Sequence, residues 1–132
     1  MLKFDAVGLF VNDMEEMVTF YRDVFNMQTS WNKESYAELF SGEMRLIMYS
    51  RKDFEKMTSK KYSYPNNING TLELSFGLPK FEDVDKEYSR VISLGAKPIF
   101  PPTDEPWGQR TCYVADPDGN LIEISSFNRK QI

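Results

Sequence analysis

The stretch DPDGNLIEISS, residues 116–126, decides the fold. Asp116-Pro117-Asp118-Gly119 has proline and glycine where a type I turn followed by a left-handed residue wants them. The run after it is strand-like, with Leu121, Ile122 and Ile124 surrounding one charge, Glu123. Strands disfavour Glu, so a charge here either faces water or is held for a purpose. By period-two alternation Leu121, Glu123 and Ser125 share one face, and Ile122 and Ile124 share the other. An apolar face backed by a polar one predicts a strand with one side on a core and one side open.

Upstream, alternation predicts a strand over residues 71–78, with Thr71, Glu73 and Ser75 on one face and Leu72, Leu74 and Phe76 on the other. Helical spacing follows over 82–94, and Gly95 stands where a helix C-cap belongs. Short strands are expected near 97–100 and 109–115, separated by the proline-rich loop FPPTDEPWG, 100–108. The first half of the chain has the same order. Residues 4–11 alternate, with Ala6, Gly8 and Phe10 opposite Val7, Leu9 and Val11. Asp13 and Glu16 form a capping box, and Met14, Met17, Val18, Tyr21, Val24 and Phe25 make one buried stripe. Strands are predicted over 27–32, 35–40 and 44–50, the last two joined by Ser41-Gly42-Glu43. In the last of them Leu46 and Met48 share the face expected to be open, and Ile47 and Tyr49 the face expected to carry helices. A helix over 52–60 and the turn-rich SYPNNING, 63–70, lead into the second half.

This is a weak internal repeat of strand–helix–strand–strand–strand. Setting Ala6 against Glu73 puts Tyr21 on Tyr88, Val24 on Val91 and Met27 on Leu94 without a gap. RLIMYS, 45–50, then falls on NLIEIS, 120–125, placing Met48 opposite Glu123.

Composition narrows the chemistry. At 132 residues, 41% apolar and 27% charged, the chain suits one soluble domain. A net charge of −4 argues against nucleic-acid binding, since no basic stripe is present to displace counterions. The lysine-rich stretch 51–61 is interrupted by Asp53 and Glu55 and reads as a solvated helix face. No run approaches the roughly 20 apolar residues that span a membrane, and the N-terminus lacks signal-peptide features, so a cytoplasmic protein is expected. The single Cys112 cannot form an internal disulfide and reads as a small buried hydrophobe. The chain contains no histidine, which removes His-based general catalysis, the serine and cysteine triads and every imidazole metal site.

The doubled module, the opening VGLFVNDMEEMVTFYRDVF and the closing WGQRTCYVADPDGNLIEI together resemble the glyoxalase/bleomycin-resistance/dioxygenase superfamily, also called vicinal oxygen chelate proteins. The resemblance covers nearly the whole chain and is weakest over about 51–70. It implies an α+β fold of two βαβββ modules in a single domain, their strands forming a cup-shaped mixed sheet with helices outside. Module one would span about 1–50, a connecting helix and loop about 51–70, and module two about 71–127. The metalloenzymes of the family carry up to four ligand positions on the inner wall, and these fall here at Ala6, Met48, Glu73 and Glu123. Ala6 and Met48 cannot ligate a hard cation, so no cofactor is expected beyond a weakly bound divalent metal on Glu73 and Glu123.

Two functions lead on this reading, ahead of a metal-free enzyme using Glu73 or Glu123 as a base beside a donor such as Tyr49, Arg45 or Arg110. One is binding of a small organic ligand, cationic or aromatic, in a cup lined by Glu73, Glu123, Met48, Ala6, Phe10, Trp107 and Arg110, as in the drug-sequestering members. The other is a metal-dependent glyoxalase-type lyase or isomerase using Glu73 and Glu123. Aromatic residues make up 14% of the chain, and Phe10, Trp31, Tyr36 and Trp107 lie near strand ends or loops where a planar ligand could stack. Arg110 opens a strand and could clamp an anion. The resemblance also implies a homodimer.

Overall fold

A computed structural model describes residues 1–127. The elements run β1 (Val7–Val11), α1 (Met14–Asp23), β2 (Tyr36–Ser41), β3 (Met44–Ser50), α2 (Arg51–Thr58), β4 (Asn69–Gly77), α3 (Phe81–Ser93), β5 (Lys97–Glu105), β6 (Gln109–Ala115) and β7 (Asn120–Ser126). This is the expected α+β class. The chain divides into two compact units, Met1–Tyr64 and Pro65–Ile132.

In the first unit the sheet order is β1-β3-β2, with β1 parallel and β2 antiparallel to β3. Asp13 caps α1 as predicted, its carboxylate accepting the Glu16 N–H at 3.1 Å. Met17, Val18, Phe20 and Tyr21 of that helix are buried, and α1 packs on β2 and β3. The strand expected over 27–32 is reduced to a single antiparallel bridge, Gln28 to Phe40. Asn26 and Lys33, with φ 56° and 73°, turn the chain at the two ends of that stretch. Helix α2 begins at Ser50, whose hydroxyl accepts the Asp53 N–H at 3.3 Å, and none of its residues is buried.

The second unit has the complete module, with sheet order β4-β7-β6-β5. Strand β4 runs parallel to β7, while β6 is antiparallel to both β7 and β5. The last strand thus lies beside the first, as β3 lies beside β1. Helix α3 packs on β5, β6 and β7 through buried Val84 and Val91, over Cys112, Val114, Ile122 and Ile124. Strand β5 is far longer than expected and takes in Pro98, Pro101 and Pro102. It is an edge strand, where a missing N–H leaves no ladder bond unmade, and its register slips between Pro98 and Phe100 and again before Thr103. Only Pro106-Trp107-Gly108 remain as the turn.

The turn at 116–119 forms as the sequence indicates. The buried Asp116 carboxylate accepts the backbone N–H groups of Asp118 and Asn120 at 2.9 and 3.0 Å. Gly119 sits at φ 87°, and a Cβ there would meet the Asn67 carbonyl oxygen at 2.5 Å. Glycine is required on both counts.

Candidate functional site

The open face of the second unit's sheet is built by alternate residues of β4, β7, β6 and β5. Register sets Ser75 beside Glu123, Glu123 beside Tyr113, and Tyr113 beside Phe100. Glu123 lies at the centre and accepts four hydroxyls. Ser75 and Ser125 donate to Oε1 at 2.7 and 3.4 Å, and Tyr113 and Thr111 donate to Oε2 at 3.1 and 3.3 Å. Glu73 is exposed and approaches the same Tyr113 hydroxyl. Burial first, then Glu73 and Glu123, push the Tyr113 phenol well above its ordinary pKa, because each penalises a phenolate. Neither glutamate has an ion-pair partner among the described residues. The ring of Phe100 lies 6.5 Å from that of Tyr113 and is 38% exposed. Trp107, at the hairpin tip, is 64% exposed, and its indole N–H donates to Gln109 Oε1 at 2.7 Å.

The first unit's open face is aromatic. Phe10 stacks on Tyr49 at 6.0 Å, Tyr49 meets Tyr36 at 5.2 Å, and Phe54 of α2 covers Phe10 at 4.3 Å. Arg51 fastens α2 to β1 by donating to the Phe10 carbonyl at 2.9 Å. Beside this row, Gln28, Trp31, Glu34, Tyr36, Glu38 and Phe40 line an open groove of about 460 Å³.

Three expectations are corrected by this geometry. Met48 is fully buried on the face that carries Leu9 and Leu46, and Ile47 and Tyr49 take the open face instead. Strand pairing explains the slip: Leu9 lies beside Met48 as Phe76 lies beside Ile124, so Ile47 is the counterpart of Glu123. Arg110 does not reach the open face. It shares its face with Cys112 and Val114, and its guanidinium grips Asp85 of α3 through two bonds of 2.8 Å and Asp104 through a third of 2.8 Å. That pairing, chiefly the hydrogen bonds from Arg110, holds the Asp85 carboxyl below its usual range. Tyr49, assigned by alternation to the helix side, faces outward with Phe10.

Of the remaining expected residues, Glu73 and Glu123 share the second unit's open face and Trp107 stands at its hairpin tip. Phe10 lies on the first unit's open face, and Ala6 is half-buried just ahead of β1. Sequence reasoning did not single out Tyr113. The signal was available in principle, since Thr111 and Tyr113 alternate with Cys112 and Val114, but only antiparallel register puts them on Glu123.

The residues present do not fit the metal centre that the resemblance implies. Ala6 offers no donor, Met48 is sealed in the core, and both Glu123 oxygens are already engaged. Among the described residues no group of three or more His, Cys, Asp or Glu side chains comes together to hold a metal ion.

Comparisons with known proteins agree with this architecture. The protein YraH of Bacillus subtilis is 33% identical over 127 residues, covering 93% of this chain and 97% of its own. A bleomycin resistance protein of Geobacillus stearothermophilus is 27% identical over 123 residues, covering 86% and 89%. The crystal structure of a glyoxalase/bleomycin resistance protein/dioxygenase family enzyme from Burkholderia phytofirmans superposes with a TM-score of 0.81 at 25% identity, covering 93% of this chain and 97% of that one. The family description "Glyoxalase/Bleomycin resistance protein/Dioxygenase superfamily" matches residues 3–124, and with the paired first and last strands of each unit it establishes that the chain belongs to that superfamily.

Proposed function

We propose that this protein binds a small cationic organic ligand with a planar portion, without a metal, on the open face of its second unit. The observation that carries the reading is the pair Glu73 and Glu123 flanking the Tyr113 hydroxyl with no basic partner among the described residues. Two carboxylates without an ion-pair partner among the described residues, in an acidic chain, favour a positive ligand. Phe100 and Tyr113 supply rings against which a flat group can stack, and Trp107 stands within the same unit. A relative named for bleomycin resistance makes sequestration of a toxic compound a fitting physiological use. A homodimer acting in the cytoplasm belongs to the same proposal, and light scattering tests the dimer.

The test is a titration of chelator-treated protein with bleomycin and with proflavine, a small planar cation, followed by tryptophan fluorescence. Saturable binding that weakens with salt and on Glu73→Gln supports the reading. Binding that is absent, or present and indifferent to Glu73→Gln, overturns it.

A further inference from the structure

We infer that Glu123 is a positioning residue rather than a ligand contact, and that the site it organises prefers a cation that carries N–H donors. This rests on the proposed ligand site and specifies its chemistry. A carboxylate offers about four lone-pair positions, two on each oxygen. In Glu123 all four are taken, by Ser75 and Ser125 on Oε1 and by Tyr113 and Thr111 on Oε2. The hydroxyls come from β4, β6 and β7, so the carboxylate ties three strands at one point. Thr111 and Ser125 are buried, and a ligand or metal that took their acceptor would leave them without water to turn to. Glu123 is therefore closed to both.

The consequence falls on Tyr113. The Tyr113 hydroxyl donates to Glu123 Oε2 at 3.1 Å and Glu73 faces the same oxygen, so with the proton held on the Glu123 side the phenol turns lone pairs towards Glu73 and the open face. Glu73, exposed beside it, presents carboxylate oxygens. Two acceptors side by side suit a protonated amine or amidinium, whose N–H groups can reach both. A quaternary ammonium has the same charge and no proton to give.

Benzylamine, protonated at neutral pH, and benzyltrimethylammonium make the comparison. In the wild-type protein benzylammonium is expected to bind at least roughly tenfold more tightly, the worth of one hydrogen bond to a charged group. Glu73→Gln should weaken both probes. Glu123→Gln, which restores a donor to the cluster and frees the Tyr113 proton, should reduce the preference to what Glu73 alone supplies. Tyr113→Phe should reduce it by as much, with no further change in the double variant. Equal binding of the two probes by the wild-type protein, or a Glu123→Gln variant that weakens both with the ratio kept, overturns the inference. If neither probe binds, the proposed function fails, and the positioning role is decided without a ligand. An ultraviolet titration of the tyrosines should then show one phenol ionising at lower pH in Glu123→Gln, identified by its loss in Tyr113→Phe; an unchanged titration overturns it.

Discussion

Replacing Met48 and Ile47 in turn by alanine tests which face of β3 belongs to the core, and with it which residue stands where Glu123 stands in the second unit. Met48 is 0% exposed and lies beside Leu9, itself 5% exposed, on the face covered by α1. Truncating a methionine in such a place removes its buried area and leaves a cavity, at a cost of about 3 kcal/mol within a usual range of about 2–5. Ile47 is half-exposed and its removal opens no sealed space, so its loss should cost about 1 kcal/mol. For a chain of this length each kcal/mol moves Tm by roughly 3–5 °C. Calorimetry should therefore show Met48→Ala melting roughly 9–15 °C lower and Ile47→Ala roughly 3–5 °C lower. A second pair sharpens the contrast: Met48→Glu should fail to fold, because an unpaired charge enters a sealed core, while Ile47→Glu should fold and add a carboxylate to the open face. Equal losses in the alanine pair, or a folded Met48→Glu, would falsify the pairing of Leu9 with Met48 and return Met48 to the open face.

Other consequences are independent of the ligand. Gly119→Ala forces a side chain into φ 87° and within 2.5 Å of the Asn67 carbonyl oxygen, so it should cost about 2–4 kcal/mol by chemical denaturation. Gly42→Ala, at φ 58° with no atom within 4 Å, carries the backbone strain alone and should cost about 1 kcal/mol. Asp85 has its pKa lowered by Arg110, so the stability it adds is full above the unfolded carboxyl value and fades as pH falls through the lower folded value. Arg110→Gln should accordingly flatten the acid limb of the stability curve, and an unchanged limb would count against the Asp85 pairing. Cys112 is 0% exposed with its thiol pKa pushed up to about 12, chiefly by burial. It should resist a thiol-reactive disulfide reagent at neutral pH until the protein is unfolded, and prompt reaction in the native state would refute its burial.

Strands whose alternation survives on its own were legible. β7 shows the apolar and polar faces that Ile122, Ile124 and Glu123 announced, and the cap at Asp13 formed where its carboxylate predicted. Two losses share a physical cause, since a residue's own neighbours in sequence do not record what lies beside it in the sheet. Residues 27–32 read as a strand, yet they meet the sheet only through the bridge from Gln28 to Phe40. FPPTDEPWG read as a loop because proline breaks a central ladder, yet β5 lies at an edge and keeps pairing through it. Whether a strand is an edge is a property of the sheet, and it becomes visible only when the order β4-β7-β6-β5 is known.

Met48 marks the limit most sharply. Matching RLIMYS to NLIEIS by their shared Leu-Ile placed Met48 on Glu123, and the side-chain period of two turns a one-residue error into a change of face. Leu46 and Met48 make one face of β3 apolar and Ile47 and Tyr49 make most of the other so, leaving Arg45 at the start of the strand as the one charge that marks the open side. In β7 the glutamate settled the matter by itself. The same reasoning explains why Glu123 was found and its partners were not. A charge inside an apolar run is conspicuous, whereas Ser75, Thr111, Tyr113 and Ser125 are ordinary strand residues until register gathers their hydroxyls on one carboxylate. The carboxylate that stands out in the sequence is thus the one turned inward on the protein's own hydroxyls, and it is the inconspicuous pair, exposed Glu73 and the oxygen of Tyr113, on which the proposed ligand site rests.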